Sequence, residues 1–385
     1  MAQFKPSWLL YGATGYTGAL IAEMAKARGA EPILAGRNAD KLKILAEKLG
    51  LKFRVFNIED RSALDKGMLG IKLMLNCAGP FTQTAVPLAQ AAIRNGVHYL
   101  DIAGEVHPIR ALQRLDERAK EDEVMLLPGV AFGCMPSEAL LALIKTQRPG
   151  LVRAQVAFAV DGAASKGTIH AMFECLHMPG YTRDRGQLVA AKPGETKILV
   201  DFGAGGKRTC VTNPWRGDLL TAGHGLGIAH LETYTHFPWY VSDLFRKPEI
   251  AQGKGLLGKL ATFALSKMAD GPSAAKRAKS KTYVWAEGID EDGRKAGGVI
   301  SGPDAYEFSA LCALYAVEQV LKGKYKRGFV TSGELFGSDP LKAIPGINFT
   351  PTVLGCRFYR SAKLCHNRAA AKVGPIAQLV RAPDS

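Results

Sequence analysis

No stretch of the chain reaches the roughly 18 to 20 uninterrupted apolar residues that a bilayer-crossing helix needs, so only surface attachment to a membrane stays open. The seven cysteines (Cys77, Cys134, Cys175, Cys210, Cys312, Cys356, Cys365) are odd in number and contain no Cys-x-x-Cys pair. That pattern suggests neither a disulfide framework nor a structural zinc site, and no metal is expected. The first residues, Met1-Ala2-Gln3-Phe4-Lys5-Pro6, run straight into an apolar segment that ends in glycines. They leave no room for the charged, apolar and cleavage regions of a signal peptide, so a cytoplasmic location is the expectation. No internal repeat marks a solenoid or propeller.

Acidic residues are also in short supply, 35 against 50 Lys and Arg, for a formal charge of +15. The excess is local. Nine basic residues from Arg246 to Lys281 face only Glu249 and Asp270, and six from Pro351 onward face only Asp384. Two confined basic regions, with no repeated aromatic-basic stacking pattern, argue against nucleic-acid binding, and one of them fits contact with acidic lipid or an acidic ligand.

What is present is a globular composition, 47% hydrophobic and 22% charged, over a length of 385 residues that suggests two domains. Residues 1–130 alternate short apolar runs with amphipathic stretches, the pattern of repeated βα units around a parallel sheet. Strands are predicted at Trp8–Tyr11, Pro32–Ala35, Phe53–Phe56, Leu73–Asn76, Val97–Asp101 and Val124–Leu127. A helix is predicted from Gly18 to Arg28, with Gly29 closing it. The expected class is α/β: a Rossmann-type, doubly wound parallel sheet over 1–130, then an α+β domain over 131–350 for substrate binding and dimerisation. In that second part Ser137 is expected to cap a helix Glu138–Lys145, and Ala154–Val160, Lys197–Phe202 and Leu231–Thr235 read as strands. Tyr283–Ile289 and Gly298–Ser301 read as a hairpin, and a helix over 305–321 is expected to pack back on the first domain. Residues 351–385 form an atypical basic tail, read as disordered read-through.

The chemistry concentrates at the ends of the predicted strands. Trp8–Tyr11 runs into Gly12-Ala13-Thr14-Gly15-Tyr16-Thr17-Gly18 and then a helix. A dinucleotide pyrophosphate needs that order: a glycine for the tight turn, one for close phosphate approach and one where helix meets strand. About 20 residues on, where an NAD-selective site carries an acid for the ribose hydroxyls, stands Gly36-Arg37-Asn38. The planar fork of Arg37 suits a 2′-phosphate, so NADP is the expected cofactor, the plain alternative being an exposed loop arginine. The fourth strand ends in Asn76-Cys77-Ala78-Gly79-Pro80-Phe81, where Ala78 and Gly79 would approach the cofactor, Pro80 fix the turn and Phe81 shelter the nicotinamide. The fifth ends in His98-Tyr99-Leu100-Asp101-Ile102-Ala103-Gly104-Glu105. Asp101 and Glu105 there read more readily as helix caps than as proton donors.

Together these strings resemble the saccharopine dehydrogenase-like oxidoreductase family. The likeness continues through Leu127-Pro128-Gly129-Val130-Ala131-Phe132-Gly133 with Pro136-Ser137, through Pro214-Trp215-Arg216-Gly217-Asp218-Leu219, and to Gly333-Glu334-Leu335-Phe336-Gly337-Ser338-Asp339. Within the family it is most similar to trans-acting enoyl reductases and to the lipid-particle branch. The resemblance implies a two-domain, NADP-linked hydride-transfer enzyme and leaves the substrate open. Short-chain dehydrogenases share the glycine spacing but use a Tyr-x-x-x-Lys pair, and the only such spacing here, Tyr359 to Lys363, lies in the atypical tail.

The leading expectation is hydride transfer from NADPH to a C=C or C=N bond of a hydrophobic or lipid-like small molecule. The alternative is a non-catalytic NADP-binding scaffold or redox sensor at a lipid surface. The catalytic donor stays open: Tyr99 and Asp101 have a positional reason to be near the nicotinamide, His170, His224 and Tyr234 less so, and His224 reads as part of a glycine-flanked loop. Leu256–Leu265 shows helical order inside the basic region and reads as an interfacial helix or, preferably, a covering or dimer helix. Peripheral membrane contact and a homodimer stand open as partner readings.

Overall fold

The first strand, β1 (Trp8–Tyr11), is buried along its whole length, which a strand sustains only when both sheet faces are covered. Trp8 and Leu10 enter one core and Leu9 and Tyr11 the other, the two-residue alternation of a pleated strand. The computed structural model describes residues 8–238 and 269–352.

After β1 the chain runs through α1 (Tyr16–Ala27), β2 (Ile33–Gly36), α2 (Ala39–Leu49), β3 (Phe53–Val55), α3 (Arg61–Gly67), β4 (Leu73–Asn76) and α4 (Phe81–Arg94). It continues with β5 (His98–Asp101), α5 (Val106–Gln113), α6 (Asp116–Glu121) and β6 (Met125–Leu127). Local chemistry sets several boundaries. Asn38 and Asp60 accept the Lys41 and Ala63 N–H groups at the starts of α2 and α3, and left-handed Gly50 ends α2. Pro32, which has no N–H to give a neighbour, falls just outside β2, so that strand starts and ends one residue later than expected.

From α7 (Met135–Gln147) onward come β7 (Leu151–Val160), α8 (Lys166–Cys175), β8 (Tyr181–Asp184), β9 (Gln187–Ala190), β10 (Lys197–Asp201), β11 (Lys207–Thr212), α9 (Asp218–Leu226) and β12 (His230–Thr235). Beyond the undescribed residues lie α10 (Ala274–Lys279), β13 (Thr282–Asp290), β14 (Lys295–Gly302), α11 (Ala305–Leu321), β15 (Gly328–Phe329), α12 (Ser332–Phe336), α13 (Pro340–Ala343) and β16 (Asn348–Pro351).

Two sheets result. The first is all parallel, in the order β15-β6-β5-β4-β1-β2-β3. Its six leading strands follow the doubly wound Rossmann order, with β15 added from far along the chain. The second sheet runs β10-β11-β12-β7-β13-β14-β16, with the β8–β9 hairpin attached to β12. Only its β7–β12 pair is parallel among the described ladders. One apolar core runs from Trp8, Leu10 and Leu75 of the first sheet through Phe308 and Leu311 of α11 to Val156, Val284 and Ile300 of the second.

Three local readings change. The helix expected from Glu138 starts at Met135, and Ser137 sits inside it, bonding the Cys134 carbonyl (2.7 Å) and the buried Asp218 carboxylate instead of capping an end. Pro136 near the helix start suits that earlier boundary. His224 lies in helix α9, not in a loop. The flanking glycines are there for packing: a Cβ on Gly223 would lie 2.1 Å from Arg183 Nε, and one on Gly225 1.9 Å from Thr331 Oγ1. Third, β8, β9, β11, β15 and β16 add to the expected strands. The β8–β9 turn uses Arg185 and Gly186, both with positive φ, a hairpin geometry that polar flanks conceal from a hydrophobicity reading. The Leu256–Leu265 stretch and the basic tail beyond Thr352 lie outside the described residues, while Pro351, the first residue of the tail as read, closes β16. Among those described, no helix is long and apolar enough to cross a membrane.

Candidate dinucleotide-binding site

In a doubly wound sheet the crevice lies beyond the carboxyl ends of the strands where the winding reverses, here between β1 and β4. The glycine turn leaves β1 at that point. Gly12 has a φ of +76°, and a Cβ on it would stand 2.6 Å from the Ala78 nitrogen, so the turn presses directly on the loop after β4. Gly18 is packed from the other side, where a Cβ would lie 2.3 Å from the Gly12 carbonyl oxygen. Gly15 differs: it is exposed, and a Cβ there would meet only that same oxygen, at 3.3 Å.

Gly15 is also the N-cap of α1, which has no side-chain cap and no acidic residue in its first turn. The free N–H groups and partial positive charge of this helix end therefore face outward over a residue without a side chain, a cradle that fits phosphate. Ala13 is buried, with its N–H on the Ala35 carbonyl, while Thr14 and Thr17 are half-buried beside the turn. Tyr16 is bound elsewhere: its hydroxyl donates to the Pro272 carbonyl and accepts from Arg277 at 2.8 Å.

At the end of β2, Arg37 is exposed. Asn38 beside it has a structural duty, since its Oδ1 is the α2 cap at 2.9 Å from the Lys41 nitrogen. The loop after β4 is pinned from below. Asn76, fully buried, accepts the Ala78 N–H at 2.9 Å, and Thr84 donates to the Ala78 carbonyl at 2.6 Å. Gly79 and Pro80 are exposed, joined by a cis peptide bond, and half-buried Phe81 begins α4.

Asn76 donates in turn to the Tyr99 hydroxyl (3.1 Å), which donates to Asp101 Oδ2 (2.9 Å). The other Asp101 oxygen accepts the N–H groups of Ala103 and Gly129, each at 3.0 Å. This buried chain ties the ends of β4, β5 and β6 together. Burial pushes the Asp101 carboxyl up to about 6 against the pull of those hydrogen bonds, and holds the Tyr99 phenol well above its ordinary range. Neither residue has any exposed surface, and Asp101 caps no helix.

Glu105 occupies the N-cap position of α5 without capping it. It is half-buried, and its carboxylate accepts the Gly104 N–H at 3.0 Å. Burial and the negative charge of Glu174 raise its pKa, while Arg216 lowers it. Both neighbours come from the later part of the chain. Glu174 reaches the first turn of α4, where Thr82 donates to it at 2.5 Å. Arg216 is held by Asp218 at 2.8 Å over the ring of Phe158 and makes a backbone bridge with Glu105. Of the remaining expected donors, His170 is exposed on α8. His224 meets Phe329 edge-on, and Tyr234 is buried with its hydroxyl on Glu232. The polar string around Glu105 was legible in the sequence, but its partnership with Glu174 and Arg216 was not.

Comparison with known proteins bears on this site directly. Residues 8–127 match the family model described as the saccharopine dehydrogenase NADP binding domain. The human saccharopine dehydrogenase-like oxidoreductase is 25% identical over 183 residues, covering 42% of this chain and 43% of that protein. A trans-acting enoyl reductase of Mycobacterium ulcerans is 27% identical over 145 residues, covering 36% of this chain and 35% of that protein. The matches thus span less than half the length of these relatives. The fold is shared more widely: saccharopine dehydrogenase (L-Glu forming) from Saccharomyces cerevisiae superposes with a TM-score of 0.62 over 90% of this chain and 99% of that one, at 13% identity. The resemblance read from the sequence holds, and the chain carries a saccharopine dehydrogenase-type NADP-binding domain over residues 8–127.

Proposed function

We propose that the protein is an NADP-dependent oxidoreductase that reduces a C=C or C=N bond of a hydrophobic, lipid-like small molecule. The observation that carries this reading is the uncapped N-terminus of α1 over Gly15, at the β1/β4 reversal. Gly12, Ala13, Thr14, Gly15, Tyr16, Thr17 and Gly18 would form the phosphate cradle, and Arg37, with the free amide of Asn38, would meet the 2′-phosphate. Ala78, Gly79, Pro80 and Phe81 would line the nicotinamide end. Bound NADPH supplies the hydride equivalent. The protein's part is to hold the acceptor carbon in line and to protonate the product. Glu105 suits protonation better than Tyr99 or Asp101, because it is only partly buried where they are wholly so, and burial holds its carboxyl above the ordinary range. The relatives named as enoyl reductases support the C=C choice.

A second reading, a non-catalytic NADP-binding scaffold or sensor, draws on the complete burial of Tyr99 and Asp101, which keeps both from any substrate. One experiment separates the two: titrate the protein with NADPH and NADH, then follow reduced-nicotinamide absorbance with enoyl, imine and long-chain carbonyl compounds. Tight NADPH binding with turnover supports the enzyme, and Glu105→Gln should then slow turnover without weakening NADPH. Tight binding with no turnover across the panel favours the scaffold. No NADPH binding refutes both.

A further inference from the structure

Tyr16, the first residue of α1 after the open Gly15, is fastened to a segment 261 residues away. Arg277 Nη1 donates to the Tyr16 hydroxyl at 2.8 Å and to the Pro272 carbonyl at 3.1 Å. The Tyr16 ring meets Tyr306 edge-on at 5.0 Å. Gly271 lies so close that a Cβ on it would come within 2.6 Å of the Tyr16 ring. The chain from Gly271 through α10 is therefore packed against the residue that opens the phosphate cradle. Ser273 caps α10 and so fixes the direction in which that helix leaves the contact.

The charge on this segment is one-sided. Lys276, Arg277, Lys279 and Lys281 stand between Gly271 and Lys281 without a single acidic residue. Arg277 is half-buried, and its two hydrogen bonds go to a neutral hydroxyl and a carbonyl through one nitrogen. Those bonds orient the guanidinium, and no carboxylate among the described residues forms an ion pair with it, the buried Asp304 acting on the Tyr16 hydroxyl without pairing Arg277. A cation drawn partly out of water is stabilised by a directly bound anion. Two parallel donors on Nη2 and Nε match the oxygens of a phosphate.

We infer that Arg277 is a cationic ligand of the dinucleotide's diphosphate, brought from the far end of the chain to the N-terminus of α1. Tyr16 is its positioning residue. The inference rests on the dinucleotide-site reading and adds to the glycine turn a residue that lies outside the matched domain.

The test measures NADPH and NADH affinity by fluorescence titration for the wild type, Arg277→Met and Arg277→Lys, with thermal melting of each protein without nucleotide. A diphosphate contact is shared by both nucleotides, so Arg277→Met should weaken both by about tenfold or more and by the same factor. Arg277→Lys should recover part of that loss, and added salt should weaken the wild type more steeply than Arg277→Met. A melting temperature close to wild type separates lost ligation from lost packing, and where Met unsettles the fold the Lys variant carries the comparison. Wild-type affinity in Arg277→Met, or a Lys variant no better than Met, overturns the inference. Loss for NADPH alone places Arg277 at the 2′-phosphate and refutes the diphosphate assignment. If the wild type binds neither nucleotide, the site reading itself falls.

Discussion

Replacing Tyr99 with phenylalanine removes one oxygen atom from a chain of hydrogen bonds that has no access to water. That oxygen accepts from Asn76 Nδ2 at 3.1 Å and donates to Asp101 Oδ2 at 2.9 Å, and all three residues are fully buried. The ring fills the same space in the variant, so the cost comes from polar groups left without partners and not from a cavity. Each such group costs about 1 to 3 kcal/mol, more where charge is involved, which gives roughly 2 to 6 kcal/mol for the pair. That is a large share of the roughly 5 to 15 kcal/mol by which a domain is stable. The loss should also depend on pH. Burial raises the folded-state pKa of Asp101 to about 6, above the unfolded value of about 3.9. The protonated carboxyl thus contributes stability present below about pH 4 and lost as pH rises through about 6, of order 3 kcal/mol. The Tyr99 hydroxyl eases that loss by donating to the ionised form. Without it the variant should fall further behind the wild type at pH 7.5 than at pH 5. Denaturant unfolding at both values measures this, provided the transitions are two-state. A variant within about 0.5 kcal/mol of wild type at pH 7.5, the ordinary scatter of harmless substitutions, would refute the account of the network.

The other predictions concern the site and a second buried acid. Arg37→Asp should lower NADPH affinity by about tenfold or more and raise relative NADH affinity, because an acid repels the 2′-phosphate and accepts the ribose hydroxyls; retained NADPH preference in the titration would remove Arg37 from the site. Gly18→Ala forces a Cβ to 2.3 Å from the Gly12 carbonyl, so about 1 to 3 kcal/mol of stability and most NADPH binding should be lost. Unchanged melting and affinity would show that the glycine turn is not closely packed. Glu138, buried with Gly333 donating to it at 2.7 Å, has its carboxyl pushed up to about 7 by burial. Its protonated form contributes stability that is lost as pH rises from about 4.3 through about 7. Glu138→Gln should therefore match the wild type near pH 5 and exceed it by up to about 3 kcal/mol near pH 8; identical pH profiles would contradict this.

Much of the first sheet was legible because its strands are short apolar runs, buried on both faces and punctuated by glycine. Trp8–Tyr11 and Leu73–Asn76 could be bounded to the residue for that reason. The long helix Ala305–Leu321 was equally plain from its apolar spacing. The order Gly12, Gly15, Gly18 carried part of its own chemistry, since Gly15 and Gly18 answer to the Gly12 carbonyl a few residues back, whereas the contact of Gly12 with Ala78, 66 residues on, came only with the fold. Strands such as Lys207–Thr212 and Gln187–Ala190 were hidden, because alternating or exposed polar side chains leave no apolar run to detect.

The sequence by itself determined the parallel sheet, the glycine turn and the arginine at the end of β2, all of which follow from local periodicity and backbone chemistry. Tertiary structure alone decided which acids titrate unusually and which residues meet across the crevice. Asp101, Glu105 and Glu138 are ordinary carboxylates as letters, and their properties come from burial and from partners such as Tyr99, Arg216 and Gly333. Likewise His224 sits in a helix, and Arg277 reaches Tyr16, only because segments far apart in the chain pack closely enough to exclude a single methyl group. Desolvation and long-range contact are properties of the folded chain, and no local pattern encodes them.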